Sequence, residues 1–481
     1  MLGGYKGKFL WVNLSNKEIE VENADEGLLR DFVGGYGIAA RLYYDRMPPN
    51  VDPLGPDNIL GFTTGPLTGT PAQTGTRWTV TCKSPLTGGW GDANGSGSFG
   101  VGLKAAGYDA VFFTGISKEP VYLYIEDGVA ELRDATHLWG VDTYALDDWV
   151  KENHGDDAEA ACIGPSGENL SLIAAVIHAK GRAAGRSGVG AVMGSKHLKA
   201  LVVKGDQEIP LADPDRVKEL RRKYAAQINS GTGFSTKYKT TGTPGGTSGY
   251  LVVGDVPTKN WKLSTRHSPD PMHYEFGELL KYRDKKEFCW RCPLGCWGSC
   301  NIEYEGEKSW THQPEYETEG AFGPNLLNKD LVSIIKANEI CNRYGLDTIS
   351  AGAAVAFAFE CFEHGLISTK DTGGIELEWG NPRAIIDMLK LLAEREKFGD
   401  VIADGVMRAA RSVGPKSEPF AVHAGGQALP MHDPRCEPAL AVIYKFDATP
   451  GRHTQAAVTF LPEDFETDRP KYGKNRDNQA G

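Results

Sequence analysis

The sequence predicts an α+β fold, with a β-rich domain over residues 1–208, a largely helical domain over 209–415 and the start of a third, helical domain over 416–481. Three observations carry that prediction. Short β-branched and aromatic runs bounded by turn residues crowd the first 205 residues or so. Beyond Pro210 the apolar residues recur at helical period instead. Glycine, 59 of 481 residues, is about 12 % of the chain against an ordinary usage of roughly 7 %, and much of it lies within residues 61–115, where backbone must approach a neighbour or a ligand closely.

Taken in order, residues 9–13 and 121–125 alternate in part and carry the residue types of half-buried strands. Residues 110–114 and 200–204 are short apolar runs of the fully buried kind. Residues 213–228 have helical spacing, many basic side chains and Asp213 at the start as an acidic cap, which predicts an exposed helix. Residues 331–344 and 351–363 form two amphipathic helices separated by Gly345, and 382–396 a third. The Gly/Thr-rich stretch 241–249 is the nearest approach to a flexible loop, and no internal repeat or low-complexity segment is present.

Composition narrows the function. Lys plus Arg number 52 against 63 Asp plus Glu, and a net charge of -11 without a local basic patch repels a phosphate backbone, which argues against nucleic acid as a partner. Residues 1–14 hold no apolar run of signal-peptide length, and nowhere do 18 apolar residues follow one another. A cytoplasmic protein with no membrane attachment is expected. Nine cysteines are an odd number for a disulfide framework, and four of them, Cys289, Cys292, Cys296 and Cys300, fall within twelve residues, so a metal is expected there.

In "CWRCPLGCWGSC", Cys289, Cys292 and Cys296 have the C-x2-C-x3-C spacing that turns three thiolates onto one iron–sulfur cluster. Structural zinc is the alternative on spacing alone, with Cys300 and His312 completing a tetrahedral set. Gly95-Ser96-Gly97-Ser98-Phe99-Gly100 satisfies G-x-G-x-x-G but follows the polar "GGWGDAN" rather than an apolar strand, so a dinucleotide fold is not indicated. "GAVMGSK", residues 190–196, is one residue short of a P-loop and lacks its Gly-Lys pair. What these glycine-rich segments offer is backbone N–H groups with Arg77, Arg182 and Arg186 nearby in sequence, which suits phosphate without a nucleotide motif.

The segments "GPLTGTPAQTGTRWTVTCKSPLTGGWGDANGSGSFG", "GYDAVFFTG", "IGPSGENL" and "GRAAGRSGVGAVMGSKHLKALVV" resemble, in order and spacing, the amino-terminal domain of aldehyde:ferredoxin oxidoreductases. "CPLGC", "PEYET", "GLDTIS" and "PGRHTQ" continue the resemblance through the helical region, so it covers essentially the whole chain and favours iron–sulfur over zinc. It implies a β-rich base under a tungsten (or molybdenum) bis-pterin cofactor beside a [4Fe–4S] cluster. Arg77, Asn94, Gly95, Ser96, Arg182, Ala183, Gly185 and Arg186 match the positions that hold the cofactor phosphates and a linking magnesium. Leu346 and Asp347 match a pterin contact from the helical side, Cys289, Cys292 and Cys296 three of four cluster ligands, and Glu317 and His453 the acid/base pair.

Three departures stand out. Asn342 occupies the place of a pterin-binding aspartate, so a neutral amide meets the pterin amine. Lys336 and Glu339 stand where some relatives bind a lone iron between subunits, so a homodimer, if formed, is not bridged by iron. The family generally runs on for another hundred residues or more with a second pterin motif and the fourth cluster cysteine, so a third domain is expected to be missing after Gly481. The implied reaction is oxidation of an aldehyde to a carboxylic acid, with electrons passing through the cluster to ferredoxin or an iron–sulfur electron-transfer subunit. A tungsten subunit of a benzoyl-CoA reductase-like complex is the alternative on the same scaffold, and a truncated, non-catalytic cofactor-binding fragment a second.

Overall fold

Two mixed sheets of six strands each occupy residues 8–204 in the computed structural model, which describes residues 2–231, 234–263 and 269–454. The first contains β1 (Lys8–Asn13), β2 (Glu18–Asn23), β3 (Leu60–Thr64), β4 (Trp78–Lys83), β5 (Trp90–Gly95) and β6 (Ala110–Thr114), in the order β2-β1-β6-β3-β4-β5. The second contains β7 (Val121–Glu126), β8 (Val129–Asp134), β9 (Glu159–Cys162), β10 (Val176–His178), β11 (Arg182–Ala184) and β12 (Leu198–Lys204), in the order β11-β10-β9-β12-β7-β8. Each sheet has one parallel pair, β1 with β6 and β7 with β12.

Strand periodicity decides which side chains meet. Successive residues point to opposite faces, so Leu10, Val12, Val111 and Phe113 join Leu123, Ile125, Leu201 and Val203 in one apolar core shared by the two sheets. The alternate residues Phe9, Ala110 and Phe112 face outward under helices Glu26–Phe32 and Tyr36–Arg46. Tyr122 and Tyr124 do the same under helix Thr143–His154. All four runs read as strands from sequence are strands.

The remaining described residues are mainly helical. Asp213 caps helix Pro214–Asn229 by accepting from the Arg216 N–H at 2.9 Å, and that helix buries none of its side chains. Helix Leu331–Tyr344 ends on Gly345 at φ 74°, the left-handed cap that turns the chain so that Leu346 forms a bridge with Ala174 of the sheet domain. Helix Thr348–Glu363 is buried on every side from Ile349 to Cys361, not on one face as its sequence pattern predicts, and it is the centre of the helical core. Helix Pro382–Glu394 packs beside it.

Two expectations need correcting. Stretch 241–249 is not a loop, because a helical turn at Pro244–Gly246 runs into helix Thr247–Val253 and Thr247 is fully buried. The polar "GGWGDAN" runs into β5 and supplies all but its last residue, with Gly91, Asp92 and Ala93 buried. The exclusion of a dinucleotide fold holds for a different reason, since β5 is an edge strand paired antiparallel with β4 and no βαβ unit surrounds it. Of residues 416–481, the described part holds a helical turn at Pro415–Phe420, a two-residue hairpin and helix Ala439–Phe446. Among the described residues no helix is long and apolar enough to cross a membrane.

Candidate active site

The edge strands of the two sheets, β5 and β11, lie side by side and form the floor of a cavity of about 450 Å³. An edge strand keeps one row of backbone groups outside the ladder, and residues of both edges line the cavity. Arg77 reaches across the floor to donate to Asn94 Oδ1 at 2.8 Å, and the Trp78 indole donates to the Ser96 carbonyl at 3.1 Å. Gly95 has to be glycine, because a Cβ there would meet the Trp78 ring at 2.5 Å. A Cβ on Gly185 would project into open cavity, with Asp347 Oδ1 its nearest neighbour at 3.6 Å.

Arg182 opens β11 with its guanidinium 3.8 Å from the Trp297 ring centroid. Its Nε and Nη2 are buried without hydrogen-bond partners among the described residues. Burial pushes its pKa down, against the opposing pull of Cys289, Glu315 and Cys296. A buried guanidinium with free donors is costly unless an anion completes it. Arg186 differs, since Nη1 donates to the Gly451 carbonyl at 2.7 Å and Nη2 to that of Ala428, leaving Nε 3.4 Å from Asp347. Both terminal nitrogens are thus engaged by backbone carbonyls, and Nε is the donor left buried without a hydrogen-bond partner among the described residues on the cavity lining.

The cysteine segment joins β13 (Arg283–Glu287) to β14 (Trp297–Tyr304), and β15 (Glu307–His312) completes a three-stranded sheet that helical periodicity did not announce. Cys289, Cys292 and Cys296 line the cavity, and the Cys289 thiol donates to Ser96 Oγ at 3.6 Å. Burial, then Glu315, pushes the Cys296 thiol up to about 11, with Arg182 opposing and the other two sulfurs adding. Gly242 lets the chain pass, at φ 71°, where a Cβ would sit 2.1 Å from the Cys296 carbonyl oxygen. Cys300 is elsewhere, packed with Leu279, Ile302 and Ile335, and His312 stacks on Trp297 while bonded to the Ala179 carbonyl. The Cys300–His312 zinc set is therefore not assembled.

Across the cavity stands Glu317, in the first turn of helix Tyr316–Phe322. Its Oε2 accepts from the Met431 N–H at 2.8 Å, which fixes the carboxylate, and its Oε1 lies 3.3 Å from His453 Nε2. Burial lowers the pKa of His453 despite the nearby Glu317, with His432, Arg186 and Arg452 adding to the effect, so the ring is predominantly neutral above the ordinary histidine range. His432, which sequence reasoning missed, presents Nε2 3.7 Å from the same Oε1 and bonds through Nδ1 to Asp255 Oδ2 at 2.6 Å. Burial opposes protonation of His432, but the Asp255 hydrogen bond and Glu317 outweigh it and its pKa is raised. No motif spacing links His432 or Asp255 to Glu317, so no sequence signal could have found them.

From the helical side Asn342, Leu346 and Asp347 reach the cavity wall. Asp347 also caps its helix, accepting from the Ile349 and Ser350 N–H groups at 3.2 and 3.3 Å. Lys336 and Glu339 pair with each other at 3.0 Å, and Glu339 also holds Arg343. Every residue that the family resemblance assigned to the site thus lines this one cavity. The donor set fits the implied groups: orphaned guanidinium nitrogens and edge backbone suit phosphates, and three thiols lining the same cavity suit a soft metal cluster.

Comparison with known proteins follows the same division. Residues 9–205 match the family model "Aldehyde ferredoxin oxidoreductase, N-terminal domain" and residues 219–480 match "Aldehyde ferredoxin oxidoreductase, domains 2 & 3". A tungsten-containing aldehyde ferredoxin oxidoreductase from Pyrococcus furiosus is 41% identical over 445 residues, covering 90% of this chain and 71% of the relative. An aliphatic sulfonate oxidoreductase WOR-like subunit from the same organism is 33% identical over 481 residues, covering 94% and 76%. Among solved structures, the active site complex BamBC of benzoyl coenzyme A reductase, in complex with 1,5-dienoyl-CoA, aligns with a TM-score of 0.80 at 29% identity, over 90% of this chain and 67% of that one.

Proposed function

The chain belongs to the aldehyde ferredoxin oxidoreductase family, and from that premise we propose that it is a tungsten-dependent, cytoplasmic enzyme oxidising an aldehyde to a carboxylic acid with ferredoxin or an iron–sulfur subunit as electron acceptor. The observation that supports this reading is the single cavity whose wall carries three cysteines, the Arg182 donors and the Glu317–His453 pair. A bound tungsten bis-pterin and [4Fe–4S] cluster supply two-electron and one-electron chemistry that no side chain offers.

The side chains then have separable tasks. Arg77 and Arg182, with the edge backbone of Asn94, Gly95, Ser96, Ala183 and Gly185, would hold the anionic phosphates of the cofactor and their magnesium counter-ion. Asn342, Leu346 and Asp347 would contact a pterin from the helical side, and Arg186 steadies the floor by tying it to Gly451 and Ala428. Cys289, Cys292 and Cys296 ligate the cluster. Glu317 accepts the proton as the water oxygen bonds to the aldehyde carbon. The neutral His453, whose Nδ1 is buried without a partner among the described residues, donates a hydrogen bond to the oxyanion that develops on the carbonyl oxygen.

The test is anaerobic purification, metal analysis and assay of aldehyde-dependent reduction of ferredoxin or a viologen dye. Tungsten with aldehyde-dependent reduction supports the reading, and tungsten-loaded protein inert to a panel of aldehydes sinks it. The likeness to the benzoyl coenzyme A reductase complex favours a second reading, a subunit acting on an aromatic thioester. Turnover of a dienoyl-CoA in place of any aldehyde would select it.

A further inference from the structure

Resting on the reading of Glu317 as proton acceptor, we propose that His432 is the site's proton relay, taking the proton from Glu317 after each turnover while Asp255 positions its ring. Oxidation of an aldehyde by water to a carboxylate releases two electrons and three protons. The electrons leave through the cysteine side of the cavity, whereas Glu317 holds one proton and must be emptied before it can act again.

The geometry limits where that proton goes. Glu317 Oε2 is occupied by the Met431 N–H, whereas Oε1 is buried without a hydrogen-bond partner among the described residues and faces two Nε2 atoms, those of His453 and His432. At His432, Nδ1 bonds to a carboxylate, which accepts only, so Nδ1 carries the hydrogen and the neutral ring leaves its Nε2 lone pair toward Glu317. Asp255 is itself held, its Oδ1 accepting from the Asp433 N–H at 3.2 Å and its carbonyl from the same N–H at 2.7 Å. His453 has no such carboxylate behind it, and its Nδ1 has no hydrogen-bond partner among the described residues. The pKa directions agree, raised for His432 and lowered for His453.

The step balances as a proton transfer. The Glu317 O–H bond breaks, an N–H bond forms at His432 Nε2, and the imidazolium rests against Asp255 until it loses that proton to solvent. The His432 side chain is 18% exposed. The 3.7 Å separation is longer than a hydrogen bond, so rotation of Glu317 or one bridging water completes the contact. The groups facing His432 are Asp255, Glu317, His453, the rings of Tyr250 and Tyr316, and the Tyr444 hydroxyl, which donates to the His432 carbonyl at 2.9 Å. Burial raises all three tyrosines above their ordinary value, so they stay neutral in the working range.

A relay residue and a chemical residue separate in pre-steady-state kinetics. In tungsten-loaded holoenzyme, His432→Gln is expected to keep a first turnover near the wild-type rate while multiple-turnover kcat falls about 10²-fold, with KM little changed. Glu317→Gln is expected to lose the first turnover as well. Asp255→Asn, which keeps the ring, is expected to lower the His432 pKa in a ¹³C-histidine NMR titration and to shift the acid limb of kcat with it. It is also the test if His432→Gln fails to fold. An unchanged kcat in folded His432→Gln, equal losses in its first and later turnovers, or an unmoved His432 titration in Asp255→Asn would each overturn the relay. Full activity in Glu317→Gln would instead overturn the reading on which it rests.

Discussion

The Arg182 guanidinium stacks 3.8 Å from the Trp297 ring centroid and thereby ties the edge of the sheet floor to the strand that leaves the cysteine segment. One residue therefore touches both halves of the cavity, and its two orphaned nitrogens point to an anion between them. Arg182→Met keeps the aliphatic stem and its packing but removes the charge. Each hydrogen bond to a charged group is worth about 1.5–3 kcal/mol. Tungsten retention through gel filtration is expected to weaken by about 10–100-fold, with the melting temperature little changed. Full metal content in the variant would show that Arg182 serves packing alone.

Glu317→Gln preserves shape and the contact with the Met431 N–H while abolishing the charge. Its kcat is expected to fall about 10²–10⁴-fold, the usual worth of a general base. Because burial lowers the pKa of His453, the ring protonates only below the ordinary histidine range. His453 should accordingly set a second acid limb, below about 6.5 and below the limb set by the raised pKa of His432, and His453→Gln should remove this lower limb alone. A lower limb that survives the substitution would contradict the role given to a neutral His453.

The sequence shows the parts of this site unevenly, and the reasons are physical. Strands β1, β6, β7 and β12 are buried on both faces, so runs such as 110–114 announce themselves. β5 does not, because its small and polar residues are buried by close backbone approach to Trp78, not by apolar side chains. The three-stranded sheet is likewise hidden, because its first strand is a run of charges, RDKKE, and its second carries glycine, serine and cysteine directly after Trp297. The motifs for Arg77, Cys289, Glu317 and His453 are readable because each is local. The Asp255–His432 pair spans 177 positions and exists only after the helical region closes.

On the proposed reading the cysteines divide into cluster ligands and packing. Cys289→Ser, Cys292→Ser and Cys296→Ser should each cost iron and acid-labile sulfide, since hydroxyl is a poor substitute for thiolate at iron. Cys300→Ala should keep both, at a stability cost of about 1 kcal/mol for a small cavity, because Cys300 packs among Leu279, Ile302 and Ile335. Loss of iron in Cys300→Ala with retained folding would make Cys300 a ligand after all.

Glu319 gives a stability prediction with a definite sign. It is fully buried beside Thr247, whose single hydroxyl proton is shared between Glu319 Oε2 and the Pro244 carbonyl at 3.0 Å and so only partly compensates a buried carboxylate. Burial pushes its pKa up to about 8, partly offset by Thr247, from an ordinary 4.5. Between those values the folded state binds more protons than the unfolded chain, so this group's contribution to stability is complete below 4.5 and is lost progressively as pH rises to about 8. Glu319→Gln retains a donor toward Thr247 and has no proton to lose. Against the wild type, its melting temperature should be relatively higher at pH 8 than at pH 5, with a flatter profile between. Parallel profiles for the two proteins would mean that Glu319 is ionised in the folded state and that some other partner carries its charge.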